Sequence, residues 1–213
     1  MSGCRLDRAA LPRREPQRYP AAWLHPPVPG SRIGETDPMG HQADLAITLR
    51  AGAPPDIEHC VALWVDACAV RDGRSISGVV DRARPKFNRS IGWIVALSGE
   101  QVEGFVLATA PGSGISTDPP GAAVVGLLAV NPSRQARGLG RTLLRAIARQ
   151  LAEAGYRQAV LHALIDNQPA LGLYQSEGWI AVGDEYEHSL LKRPLRTFSR
   201  VLLEDGLGGA GGD

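Results

Sequence analysis

Between residues 121 and 155 the sequence changes its period. GAAVVGLLAVN is almost wholly apolar, the pattern of a strand covered on both faces. RTLLRAIARQLAEAG then repeats apolar residues at helical spacing. Leu143, Leu144, Ile147, Ala148 and Leu151 fall on one stripe, opposite Arg141, Arg145, Arg149 and Glu153, and Gly155 is placed to stop the helix. A buried strand feeding a one-faced helix demands a layered α/β arrangement, because each must cover the other's apolar surface. The step between them, NPSRQARGLG, is the unusual part. A helix start already presents positive charge and ordinarily draws acidic residues. Here Arg134, Arg137, Arg141 and Arg145 crowd it instead. Either the stretch is a solvated basic surface, or it receives an anion.

Anion binding has clear chemistry behind it. Successive amides from Gln135 to Gly140, at a helix N-terminus, can hold a pyrophosphate by hydrogen bonds and by the helix dipole. Gly138 and Gly140 lack Cβ atoms, so the backbone can come close to phosphate oxygens. The arginines add charge-assisted contacts or local field. Two familiar phosphate loops do not fit. A Walker loop needs Gly-Lys-Ser/Thr, and no such Lys stands here. A dinucleotide fingerprint needs a third glycine where this chain has Leu143.

The remainder of the chain alternates in the same way. AITLRAG reads as a short strand, and PPDIEHCVALWVDACAV as a helix opened by proline. DGRSISGVVDRARPKFNRS reads as a loop with a short helix. GWIVALSGEQVEGFVLATA is a hairpin turning at Ser98-Gly99-Glu100. RQAVLHALI is a strand, DNQPALGLYQSEG a helix capped by Asp166 or Asn167 and ended at Gly178, and WIAVGDEYEHSLLKRPL closes the domain with strands. The order β-α-α-β-β-β-α-β-α-β predicts a mixed sheet flanked by helices. Residues 1–44, rich in Pro, Arg and Gly, read as an irregular leader, residues 45–197 as one domain, and residues 198–213 as a Gly-rich flexible tail.

Composition narrows the function classes. A net charge of +1 over 213 residues gives no support for nucleic-acid or membrane-surface binding. The positive charge that matters is local. No apolar run is long enough to span a bilayer or to form a signal peptide. Cys60 and Cys68 are eight apart on one helix and too distant to bridge, and the five histidines show no metal-ligand spacing. A reduced cytoplasmic setting without a metal is the expectation.

Gln135-Ala136-Arg137-Gly138-Leu139-Gly140 resembles the acyl-CoA motif Q/R-x-x-G-x-G/A of the GCN5-related N-acetyltransferase (GNAT) superfamily. About thirty residues on, Asn167, Ala170, Leu173-Tyr174 and Gly178-Trp179 match the family's second motif, N-x-x-A-x-x-L-Y-x-x-x-G-F/W. The resemblance covers roughly residues 46–195. It implies a central, mostly antiparallel mixed sheet with one splayed strand pair. It also implies transfer of an acetyl group from acetyl-CoA to a primary amine, on a small molecule or a protein, by direct attack in a ternary complex. Main-chain groups of Leu128 and Val130 would then bond the pantetheine arm. Amides of Gln135, Arg137, Gly138, Leu139 and Gly140 would cradle the pyrophosphate, with Arg141 beside them. Asn167 would contact the pantetheine, and Tyr174 would donate a proton to the departing thiolate. A homodimer is compatible with the family.

The base that must deprotonate an ammonium acceptor is left open. GAAVVGLLAV carries no carboxylate, and this motivates the alternative of a non-catalytic acyl-CoA-binding or regulatory module on the same fold, against which the presence of Tyr174 speaks. Glu103 and His162 are candidates by position only; a water relay, or a carboxylate from the first helices, would serve equally. Glu103 reads most simply as a solvent-facing hairpin residue and His162 as a satisfied strand histidine. Trp64 and Trp93 read as core or cleft wall.

Overall fold

The computed structural model describes residues 46–202; the leader over 1–44 and the end of the tail lie outside them. Strands β1 (Ile47–Ala51), β2 (Ser90–Ser98), β3 (Gln101–Thr109), β4 (Ala123–Val130), β5 (Gln158–Leu164), β6 (Ile180–Glu187) and β7 (Pro194–Val201) form one sheet in the order β1-β2-β3-β4-β5-β7-β6. Helices α1 (Ile57–Asp72), α2 (Val79–Phe87), α3 (Leu139–Glu153) and α4 (Gln168–Ser176) flank it. The expected order is realised, with the proline-opened helix preceded by a 3-10 turn at Pro54–Asp56. β7 carries the folded chain past residue 197, because Phe198 and Leu202 are needed in the core.

All pairings are antiparallel except β4 with β5, which is parallel and brief. Only Ala123, Val124 and Val125 pair across, with Ala159, Val160 and Leu161. Beyond them the two strands part, leaving a fork whose arms are Gly126–Val130 and His162–Leu164. The splayed pair implied by the family resemblance is thus present.

The two faces of the sheet carry separate cores. On one, Leu143, Leu144, Ile147 and Leu151 of α3 are fully buried against Val106, Leu161 and Phe198, each side chain contributing roughly 1.5–3 kcal/mol of apolar burial. On the other, Cys60 and Val61 of α1 and Phe87 of α2 pack on Trp93, Phe105, Leu107 and Leu127. Trp93 is core, as its sequence context suggested, its ring 4.9 Å from that of Phe87.

β4 changes face at the fork. Val125 belongs to the α3 core, while Leu127, two residues on, belongs to the α1–α2 core. Strict alternation forbids this. The pairing with β3 skips Gly126, since Leu107 opposes Leu127 and Ala108 opposes Val125. A bulge therefore sits at Gly126, where the fork opens, and it re-aims the rest of β4.

Candidate active site

The basic turn after β4 folds into a 3-10 turn, Pro132–Arg134, and then the head of α3. α3 begins at Gly138 with φ 85°, has no side-chain cap and no acidic residue in its first turn. Its opening amides lack intrahelical acceptors, and no carboxylate of their own first turn answers them. Gly138 has nothing within 4 Å of where a Cβ would stand, whereas a Cβ on Gly140 would lie 3.3 Å from Leu173 Cδ2. The two glycines therefore differ. Gly138 supplies a left-handed backbone on an open surface, and Gly140 lets α3 approach α4. Ala136 also takes positive φ, 61°, a conformation uncommon outside glycine.

Glu103 holds this turn from beneath. It is buried, at 3% exposure, and not solvent-facing as its hairpin position suggested. Asn131 Nδ2 donates to its Oε2 at 2.9 Å, the Asn131 amide donates to its carbonyl at 2.8 Å, and Arg134 Nε lies 3.4 Å from Oε1. β3 ends its pairing with β4 one residue away, at Gly104 and Val130, so the departing turn folds over the carboxylate and covers it. Glu103 does not border the cleft. It is a brace.

Arg141 and Arg145 are engaged too. Both reach Glu177, just past α4: Arg141 Nε at 2.9 Å, and Arg145 through two bonds of 2.6 and 3.0 Å. The charge at this end of α3 thus ties two helices together. Bonds from Arg145 hold the Glu177 carboxyl below its usual range.

A cleft of about 1540 Å³ runs through the fork, larger than an ordinary small-molecule pocket. Leu128 and Val130 border it from β4; Gln135, Gly138, Leu139, Gly140 and Arg141 from the turn; Asn167 and Tyr174 from α4. Arg137, predicted with them, is exposed beside the turn. Gln135 is drawn back toward the strand, its Nε2 donating to Val130 O at 3.2 Å. Asn167 stands at the N-cap of α4, just before its first residue, but its side chain makes no capping bond. Tyr174 is half-buried and packs on Phe198, ring centroids 6.0 Å apart; burial pushes its phenol up to about 12.

Trp64 and Lys86 border the cleft from the opposite face. Lys86 Nζ donates to Gly126 O at 3.3 Å, at the bulge itself. Burial lowers its ammonium below the ordinary lysine value. His162 stands across the fork on β5. Its Nε2 is 3.2 Å from Asp118 Oδ2, and its Nδ1 is 2.6 Å from the Tyr186 hydroxyl and 3.2 Å from Thr197 Oγ1. Burial depresses its pKa, with Asp118 acting in the other direction. Asp118 and Tyr186 escape a reading of the sequence. One lies in the β3–β4 loop, the other on β6, and no motif joins residues 118, 162 and 186.

A parted parallel pair, a glycine-headed helix without a side-chain cap and a cleft bordered by both describe a class of α/β protein with a cleft at its splayed sheet. The model of the acetyltransferase (GNAT) family matches residues 63–179, more than half of the chain, and the chain belongs to that family. It is 49% identical over 55 residues to a mycothiol acetyltransferase of Clavibacter sepedonicus, covering 26% of this chain and 18% of that protein. A mycothiol acetyltransferase of Nocardioides sp. is 34% identical over 90 residues, covering 41% and 30% respectively. The chain spans less than a third of the length of these curated relatives. Among solved structures, the PaiA N-acetyltransferase of Thermoplasma acidophilum, in complex with coenzyme A, superposes with a TM-score of 0.54 at 15% identity, covering 71% of this chain and 98% of that one. At that identity the likeness speaks for the fold.

Proposed function

We propose that this protein moves an acetyl group from acetyl-CoA to a primary amine by direct attack within a ternary complex. The observation that carries this reading is the fork. Its arm Gly126–Val130, without a partner on the β5 side, leads into the uncapped glycine turn, and Tyr174 borders the same cleft. Acetyl-CoA supplies an activated acyl carbon on a thiol leaving group; the rest is done by the chain. Main-chain groups of Leu128 and Val130, left without a β5 partner, bind the pantetheine arm as a strand would. Amides of Gln135, Arg137, Gly138, Leu139 and Gly140 take the pyrophosphate. Asn167, its side chain not spent on the helix cap, contacts the pantetheine. Arg141 adds field while answering Glu177.

Tyr174 stands by the departing sulfur. With a phenol at about 12, it stays neutral at physiological pH. Full transfer to a thiolate of ordinary pKa about 8.5 is uphill by roughly 3–4 units, so its contribution is first a hydrogen bond to the developing charge. The buried free thiols Cys60 and Cys68 support a reduced, cytoplasmic setting, and the relatives' names make unacetylated mycothiol one amine to try.

Calorimetry with acetyl-CoA and CoA, followed by a CoA-release screen over primary amines, tests the reading. Absence of binding sinks it. Binding with silence across the screen favours a non-catalytic acyl-CoA module, which the lack of a carboxylate on β4 also suggests. Tyr174→Phe should lower kcat by about 10²-fold or more while leaving the acetyl-CoA Kd within about twofold. Unchanged turnover removes Tyr174 from the mechanism.

A further inference from the structure

An ammonium acceptor has no lone pair until it loses a proton, and Tyr174 is an acid. The molecule needs a proton acceptor on the acceptor's side of the fork. Alternation along β5 puts His162 on the face opposite Leu161, and Leu161 belongs with Phe198 and Tyr174 to the α3 side. His162 is also the first β5 residue beyond the last pair, Val125 with Leu161. It therefore stands at the apex of the fork, on the α1–α2 face, with the fork between it and Tyr174.

We propose that Tyr186, His162 and Asp118 form a proton relay that deprotonates the acceptor amine; this rests on the acetyl-transfer reading above. Asp118 Oδ2 is only an acceptor when ionised, so the 3.2 Å contact places the imidazole proton on Nε2. Nδ1 is then the open lone pair, and the Tyr186 hydroxyl donates to it at 2.6 Å. Tyr186 and His162 both border the cleft, while Asp118 lies behind them. In the step, an N–H bond of the acceptor ammonium breaks and its electron pair stays on nitrogen. The proton bonds to Tyr186 Oη as that phenol's own proton passes to His162 Nδ1. The resulting imidazolium is held by Asp118 and later yields its proton to solvent. Nothing is oxidised or reduced.

Three features show a built arrangement. The Asp118 side chain is buried, 4% exposed, and its Oδ1 has no hydrogen-bond partner among the described residues. A buried carboxylate left half-satisfied is costly and suits a group that must answer a transient cation. The amide of Ile115 donates to Oδ2 at 2.9 Å and fixes its direction. A Cβ on Gly114 would lie 2.0 Å from Asp118 Oδ2 and 2.9 Å from His162 Nε2, so the loop closes on this contact with no room to spare. The groups facing His162 are Asp118 and Gly114 from the loop, Tyr186 from β6, Thr197 from β7 and Lys86 from α2. Burial and the field of Lys86 keep the imidazole neutral until the proton arrives.

Histidine-selective NMR titration with acetyl-CoA present tests the relay without turnover. His162 should be neutral and Nε2-protonated at pH 7, titrating below 6.5, and Asp118→Asn should move that titration lower still. An imidazole charged at pH 7, or indifferent to Asp118→Asn, overturns the relay even if acetyl transfer is real. With an amine that releases CoA, His162→Gln and Tyr186→Phe should each lower kcat/KM at pH 7 by about 10²-fold or more, with acetyl-CoA Kd unchanged. The acid limb of the wild-type pH profile should follow the NMR titration. Wild-type kcat/KM in His162→Gln also overturns it. Failure of acetyl-CoA to bind defeats the acetyl-transfer reading instead, and the titration still decides whether the three groups act as a unit.

Discussion

Gly138 and Gly140 look interchangeable in a G-x-G motif, but their surroundings separate them. At φ 85° an alanine at 138 is forced into left-handed backbone with no contact to relieve it. Gly138→Ala should cost about 1–2 kcal/mol, a fall in Tm of roughly 2–4 °C per kcal/mol in a domain of this size. Gly140→Ala has no backbone penalty and needs only that Leu173 give by a few tenths of an ångström. Thermal melts that rank the pair the other way would refute this division. The motif's spacing was legible in the sequence; the reason for each glycine was not, because the neighbour of Gly140 comes from a helix thirty residues on. The same holds for Glu103. Its partners Asn131 and Arg134 become visible only when β3 and β4 are laid side by side.

Helices α3 and α4 meet through one carboxylate. Glu177 is buried, yet both arginines that bond it are well exposed, so its removal leaves those two charges to solvent. Glu177→Gln should therefore lower Tm modestly, and the difference from wild type should shrink in high salt as the exposed arginines are screened. A loss that is salt-independent would mean that packing, not charge, joins the helices. Element by element the sequence was informative, since the apolar stripe of α3, its stop at Gly155 and the end of α4 at Gly178 all follow local rules. Cross-element pairs follow none. Asp118, His162 and Tyr186 lie on a loop and two strands, and only the sheet order β5-β7-β6 brings the strands together.

For the whole molecule, titration should act mostly in one direction. Asp56, Asp72 and Glu177 are held below the carboxylate range by bonds from Arg50, Arg71 and Arg145. Their stabilisation is present above the unfolded value of about 4 and is lost as pH falls through the lowered folded values. His162 and His188 are depressed by burial, so the unfolded chain binds their protons first and stability begins to fall below about 6.5. Urea unfolding should thus show stability declining from about pH 6.5 and again below about pH 4. At the alkaline end Tyr174, neutral to about 12 in the fold, withdraws stability once the unfolded phenol ionises above about 10. A flat profile between pH 7 and 5 would mean that the two imidazoles are not withheld from protonation.

The fork also divides the sheet mechanically. β1 to β4 form one leaf and β5 to β7 another, and the hydrogen-bonded seam between them is three residue pairs long, at one end. Such a joint resembles a clothes-peg: the closed end sets the gape, and whatever enters the jaws becomes part of the frame. A strand-like arm seated along Gly126–Val130 would turn two leaves into one continuous ribbon. The cargo would then also be a structural member, and its departure would loosen the parts that had held it.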